Sequence, residues 1–85
     1  MQNDIEDIKY LLDELLDDGT IPRNVKAVLN DIKVIIQRSS SDAVKLSDSV
    51  YKLQDISEDV NLPLNAKSDI WMLQSKVEKL KESVK

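Results

Sequence analysis

The apolar residues of this chain recur at steps of three and four from one end to the other, the spacing that gives a helix one apolar face. Ile5, Ile8, Leu12 and Leu15 form a first stripe, widened by Leu11 and Leu16. Val25, Val28, Leu29, Ile32, Ile35 and Ile36 form a second, and Ala43, Leu46, Val50, Leu53 and Ile56 a third. The fourth runs Ala66, Ile70, Leu73, Val77, Leu80, Val84. No stretch alternates strictly in twos, so strands are not expected. Gly19, just past the first stripe, is a residue that tolerates positive φ at a helix end. Pro22 and Pro63 suit a first helical turn, where the missing N–H would have no partner. The polar run Ser39-Ser40-Ser41-Asp42 supplies N-cap candidates between the second and third stripes. Four helices are therefore expected near 3–17, 22–38, 42–58 and 63–83. Short connections make consecutive helices antiparallel neighbours, so the predicted fold class is all-α, an antiparallel four-helix up-down bundle.

The chain also repeats itself. Residues 5–36 align with 46–77, with seven identities: Asp7/Asp48, Tyr10/Tyr51, Leu12/Leu53, Asp18/Asp59, Pro22/Pro63, Asn24/Asn65 and Lys26/Lys67. Core-type positions match conservatively, among them Leu15/Ile56, Ile21/Leu62, Leu29/Ile70, Ile32/Leu73 and Ile36/Val77. Any two amphipathic hairpins align to some degree, but the shared Tyr, Pro and Asn do not belong to the core pattern. The bundle is read as two pseudo-symmetric αα-hairpins, about 3–38 and about 42–83, in one domain spanning 1–85.

Composition limits the chemistry. Eighty-five residues leave room for one small core. The absence of Cys excludes disulfides and thiolate sites, and the absence of His excludes imidazole acid–base catalysis. No enzyme activity and no cofactor are expected. Catalysis by carboxylates and Lys would need a cleft convergent with Asp18, Asn24, Asp59 or Asn65. No apolar run reaches the length of a membrane span, so no membrane partner is expected. Nucleic acid is a poor fit to a chain of net charge −4 with two Arg, even though Lys76, Lys79, Lys81 and Lys85 form a basic tail.

Charge follows the helices. Residues 1–20 carry −6, 21–41 carry +3, 42–61 carry −3 and 62–85 carry +2. Acidic and basic helices alternate, which favours neighbours of opposite sign.

Acidic residues crowd the ends of the first and third helices, where they oppose the macrodipole. Asp17, Asp18, Glu58 and Asp59 are thus the residues a hard divalent cation would use, although the EF-hand pattern is missing and no metal site is expected. The competing reading makes them partners of the next helix's N-terminus, and the doubling of Asp18/Asp59 ahead of Pro22/Pro63 favours it. With Pro at the first helical position, Asn24 and Asn65 fall where a side chain reaches back to the N-cap backbone. Asp18, Pro22, Asn24, Asp59, Pro63 and Asn65 are accordingly read as turn residues. Lys26 and Lys67 lie one turn from those acids, and Tyr10 and Tyr51 are expected to pack at helix edges with wet hydroxyls.

The halves differ most at Leu64, Trp71 and Met72, which replace Arg23, Asn30 and Asp31. Leu64 and Trp71 lie on one side of their helix, about 130° from the core stripe, with Ser68, Ser75 and Glu82. An apolar anchor on a polar side suits an interface, and these three are the candidate partner-binding residues, for a protein partner or a second copy.

The segments Leu15-Leu16-Asp17-Asp18-Gly19-Thr20-Ile21-Pro22-Arg23-Asn24-Val25-Lys26 and Ile56-Ser57-Glu58-Asp59-Val60-Asn61-Leu62-Pro63-Leu64-Asn65-Ala66-Lys67, with Ile70-Trp71 after them, resemble a small archaeal family of uncharacterised proteins (UPF series, family 0147). The resemblance implies a cytoplasmic four-helix bundle and supplies no activity, cofactor or catalytic residue. The expected function is a non-enzymatic helical interaction or self-association module, the alternative a divalent-cation-binding module using the acidic turns.

Overall fold

Eighteen apolar side chains, contributed by all four stripes and by the two turns ahead of the prolines, merge into one core. The computed structural model describes residues 2–39 and 41–84 and contains four helices with no strand among them. They are α1 (Gln2–Asp17), α2 (Arg23–Ser39), α3 (Ala43–Ile56) and α4 (Leu64–Ser83). Each predicted stripe lies inward. Ile8, Leu12, Leu15, Val25, Leu29, Ile32, Ile36, Leu46, Leu53, Ile56, Ala66, Ile70, Leu73, Val77 and Leu80 are all buried, and Ile5, Leu11, Leu16, Val28 and Val84 pack half-buried around them. Ile21 and Leu62 anchor the turns to the core at 5% and 6% exposure.

The helices neighbour one another in a ring, α1 with α2, α2 with α3, α3 with α4 and α4 with α1, and the backbones of diagonal pairs do not approach within 8 Å between Cα atoms. The extents agree with that arrangement. A 20-residue helix is about 30 Å long and neighbouring axes lie about 8–10 Å apart, so 36 × 20 × 18 Å is one helix length by two helices by two. Acidic α1 is paired with both basic neighbours: Lys33 of α2 bonds Asp13, and the Lys76 ammonium of α4 lies 3.8 Å from Asp7. Such exposed pairs each add little to stability, about 0–1 kcal/mol, but they favour this neighbour order over its alternatives.

Two expectations about helix ends are corrected. Neither proline occupies the first helical position: α2 starts at Arg23, and Pro63 is the N-cap of α4, with φ −60° and ψ 151°. Gly19 does not use positive φ. The helix stop at that point comes from the Asp18 turn described below. In the connection between α2 and α3 the cap is Asp42, whose Oδ1 accepts from the backbone N–H groups of Val44 and Lys45 at 3.0 and 3.2 Å. Ser40 and the tail residue Lys85 lie outside the described residues.

Two buried residues escaped the apolar pattern, Ser57 just after α3 and, deeper in the core, Ser49. Ser49 is fully buried in α3, at the position that corresponds to Ile8 in the first hairpin. Its hydroxyl donates to the Lys45 carbonyl one turn back at 3.2 Å, so the polar atom is satisfied within its own helix. The contact between α3 and α4 is the most extensive of the four, and this pair carries Ser49 and Ala66 where the first two helices carry Ile8 and Val25.

Candidate functional site

The two proline turns are built alike, bond for bond. The Asp18 N–H donates to the Leu15 carbonyl, and the Asp59 N–H to that of Ile56. Ile21 donates back to Asp18 as Leu62 does to Asp59, and Lys26 to Pro22 as Lys67 does to Pro63. In each turn the aspartate Oδ1 also accepts a backbone N–H two residues on, from Thr20 at 2.9 Å and from Asn61 at 2.8 Å. These Asx turns end α1 and α3, and the prolines that follow set the next helices going.

The two carboxylates differ in their remaining partner. Asp18 takes the Thr20 hydroxyl at 2.7 Å, whereas Asp59 takes Asn24, which reaches from the other turn to donate Nδ2–H at 3.0 Å. Asn24 therefore does not cap its own helix, and the two turns lie at the same end of the molecule. Asn65 does not make the reciprocal bond to Asp18. Both carboxyls are held below the usual aspartate range. For Asp18 the Thr20 hydroxyl is the main cause and its N–H the next; for Asp59 it is Asn24 and then the Asn61 N–H. Lys26 and Lys67 each add a favourable charge to the acid of their own turn. Tyr10, exposed on α1, is held above the usual phenol value by the neighbouring Glu14 carboxylate.

This geometry leaves Asp18, Asn24 and Asp59 engaged in holding turns. The acidic candidates do not converge: among the described residues no three Asp or Glu side chains gather closely enough to hold a metal ion. Glu58 instead faces a groove beside Lys67, and Asp17 stays on the surface.

The other candidate residues all lie on α4 and all are exposed, Leu64 at 76%, Trp71 at 52% and Met72 at 50%. They do not form one cluster. Trp71 lines an open groove of about 550 Å³ between α3 and α4, with Gln54, Ser57 and Glu58 on one rim and Lys67 and Gln74 on the other. Met72 lines a different groove, between α1 and α4, with Asp7, Tyr10, Leu11 and Lys76. The first groove continues onto α3 through Tyr51 and Asp55. Of these groove residues, Tyr51 is the one the sequence marks, as a helix-edge residue, while Gln54 and Gln74 carry no mark of their own. The signal available was register: joining α3 to α4 by a short turn sets Gln54 beside Trp71.

A family model described as an uncharacterised protein family, UPF0147, matches residues 1–80. The chain belongs to that family. Among UPF0147 relatives, the protein of Thermoplasma acidophilum is 34% identical over 83 residues, covering 96% of this chain and 94% of its own. That of Archaeoglobus fulgidus is 33% identical over 76 residues, covering 89% and 87%. The helical arrangement also matches a crystal structure of the unknown-function protein MMP1188, with a TM-score of 0.80 and 29% identity over 91% of this chain and 89% of that one. UPF0147 membership brings the fold with it and no assigned chemistry. No helix among the described residues is long and apolar enough to cross a membrane.

Proposed function

We propose that this UPF0147 chain is a cytoplasmic, non-enzymatic helical interaction module that binds protein through the exposed side of α4. The observation that carries this reading is the exposure of Leu64, Trp71 and Met72 on a helix whose other face is fully committed to the core. The corresponding positions of α2 hold Arg23, Asn30 and Asp31, so the repeat itself provides a polar control surface. A half-exposed Trp is among the side chains most able to anchor an interface once desolvated. The ring of helix contacts, the matched turn bonds and the Asn24–Asp59 link support the architecture under this reading, an up-down bundle of two pseudo-symmetric hairpins. The residues a carboxylate enzyme would need, Asp18, Asn24 and Asp59, are occupied with turn bonds.

Photo-crosslinking tests the proposal. A photoreactive residue at position 71, in native extract, is expected to give a discrete protein adduct that excess unlabelled chain suppresses. The same residue at position 30, the equivalent site on α2, is expected to give none. Equal labelling at both positions, or labelling that excess chain does not suppress, would rule the α4 face out as a specific surface.

A further inference from the structure

The groove that holds Trp71 has rims of opposite sign, and that pattern bears on what covers it. Glu58 stands on the α3 side and Lys67 on the α4 side, both at the end where the 57–63 turn joins the two helices. Gln54 and Gln74, each able to donate and accept, lie farther along on opposite rims. Tyr51 and Asp55 extend the α3 rim. The wider surroundings have the same polarity, −3 over residues 42–61 and +2 over 62–85.

We infer that the occupant of this groove is a second copy of the chain, related by a two-fold axis running along the groove between α3 and α4. This deepens the interaction reading above and rests on it. A two-fold interface must be self-complementary, because each point on one side of the axis meets its mirror position on the partner. An axis along the groove lays α3 of one copy against α4 of the other. Glu58 then meets Lys67 of the second copy, and Lys67 meets its Glu58. Tyr51 and Gln54 face the second copy's Trp71 and Gln74, and the two Trp71 rings lie near the axis. An acidic partner would be repelled by the α3 rim and a basic partner by the α4 rim, whereas a second copy satisfies both. The arrangement extends to the dimer the alternation of acidic and basic helices that orders the monomer. An interface of about 800 Å² per partner would take about 15% of the chain's 5416 Å² accessible surface. Because the corresponding side of α2 carries Asn30 and Asp31, the patch occurs once per chain and the assembly closes at two.

Sedimentation equilibrium of the full chain from about 10 μM to about 1 mM is expected to show a species of twice the 9.7 kDa monomer. Emission from Trp71, the single tryptophan, is expected to shift to shorter wavelength as that species forms. Trp71→Ala is expected to weaken association by about tenfold or more. Glu58→Lys and Lys67→Glu should each weaken it, and the double variant should restore it, with helical melting curves verifying that each variant folds. Asn30→Ala should leave association unchanged. A monomer throughout the range, a dimer indifferent to Trp71→Ala, or a double charge swap that fails to restore association would overturn the inference. The outcomes separate from those of the broader reading: a monomeric chain that still crosslinks a different protein at position 71 loses the dimer and keeps the interaction surface, and one that crosslinks nothing loses both.

Discussion

Asn24 Nδ2 donates to Asp59 Oδ2 at 3.0 Å, joining two turns that are 35 residues apart in sequence and otherwise built from the same set of bonds. The reciprocal pair, Asn65 and Asp18, is not bonded; Asp18 is taken by Thr20 instead. At position 61 the second turn carries Asn in place of Thr, so Asp59 has no hydroxyl of its own turn to accept from, and Asn24 fills that place. A local hydroxyl in one turn thus corresponds to a long-range amide in the other, and the likeness of the two turns breaks at the bond that joins them.

Asn24→Ala is expected to lower the melting temperature, and Asn65→Ala to leave stability within about ±0.5 kcal/mol of the parent, as for an ordinary surface change. In a double-mutant cycle, Asn24→Ala should couple with Asp59→Ala and not with Asp18→Ala. Equal effects of the two asparagine substitutions would show that the link between the turns contributes nothing.

The lowered pKa values of Asp18 and Asp59 set the sign of the acid response. Each carboxyl is ionised more readily in the folded chain than at the ordinary aspartate value of 3.8. The stabilisation is therefore fully present well above pH 3.8 and is lost as pH falls through 3.8 toward the lower folded values. Asp18→Asn and Asp59→Asn should reduce stability at pH 7 and converge on the parent in strong acid. Carboxyl NMR should find the Asp59 titration moving up toward 3.8 in Asn24→Ala, since Asn24 is the largest cause of its shift. An Asp59 titration unmoved by that substitution would remove the amide as the cause.

Gly19 has no steric reason to be glycine. Its φ is not positive, a Cβ placed there meets nothing within 4 Å, and the equivalent turn position is filled by Val60. Gly19→Ala should stabilise the chain by about 0.4–1 kcal/mol through the unfolded state, a rise in Tm of about 2–8 °C. A loss of stability would mean that the turn visits a conformation closed to alanine.

The helices and the core were legible because burial at steps of three and four leaves few alternatives. The four predicted helices match the observed ones to within one residue at each end, except that α3 closes two residues early, at Ile56. Those two residues, Ser57 and Glu58, enter the turn that Asp59 organises. The angle of Trp71 to the core stripe puts it on a polar side of its helix, and the packing around it leaves the ring half exposed. The features that were not readable depend on distance between elements. Asn24 and Asn65 have like surroundings in their own turns, and which amide reaches a carboxylate depends on the other turn, placed at the same end, where Asp59 lacks the hydroxyl that Thr20 gives Asp18. Trp71 and Met72 are adjacent in sequence yet line different grooves, because neighbouring residues of a helix point about 100° apart. The burial of Ser49 was recoverable from its alignment with Ile8, but a hydroxyl on an apolar stripe does not reveal how closely the next helix approaches.

That approach can be tested at Ser49 itself. Both Ile8 and Ser49 are fully buried at corresponding positions, yet they should not be interchangeable. Ser49→Ala removes a hydroxyl bonded only to its own helix and introduces a better helix former, so it should be neutral or stabilising by up to about 1 kcal/mol. Ser49→Ile should match the residue type of Ile8 and still destabilise, by about 1–3 kcal/mol, because a fully buried site filled by serine must take in the larger side chain. The converse change, Ile8→Ser, leaves a cavity among Leu12 and its neighbours and should cost about 2–5 kcal/mol, a large share of the stability of an 85-residue domain. Chemical denaturation of the three variants measures all of this. A stabilising Ser49→Ile would mean that the core retains slack at that level.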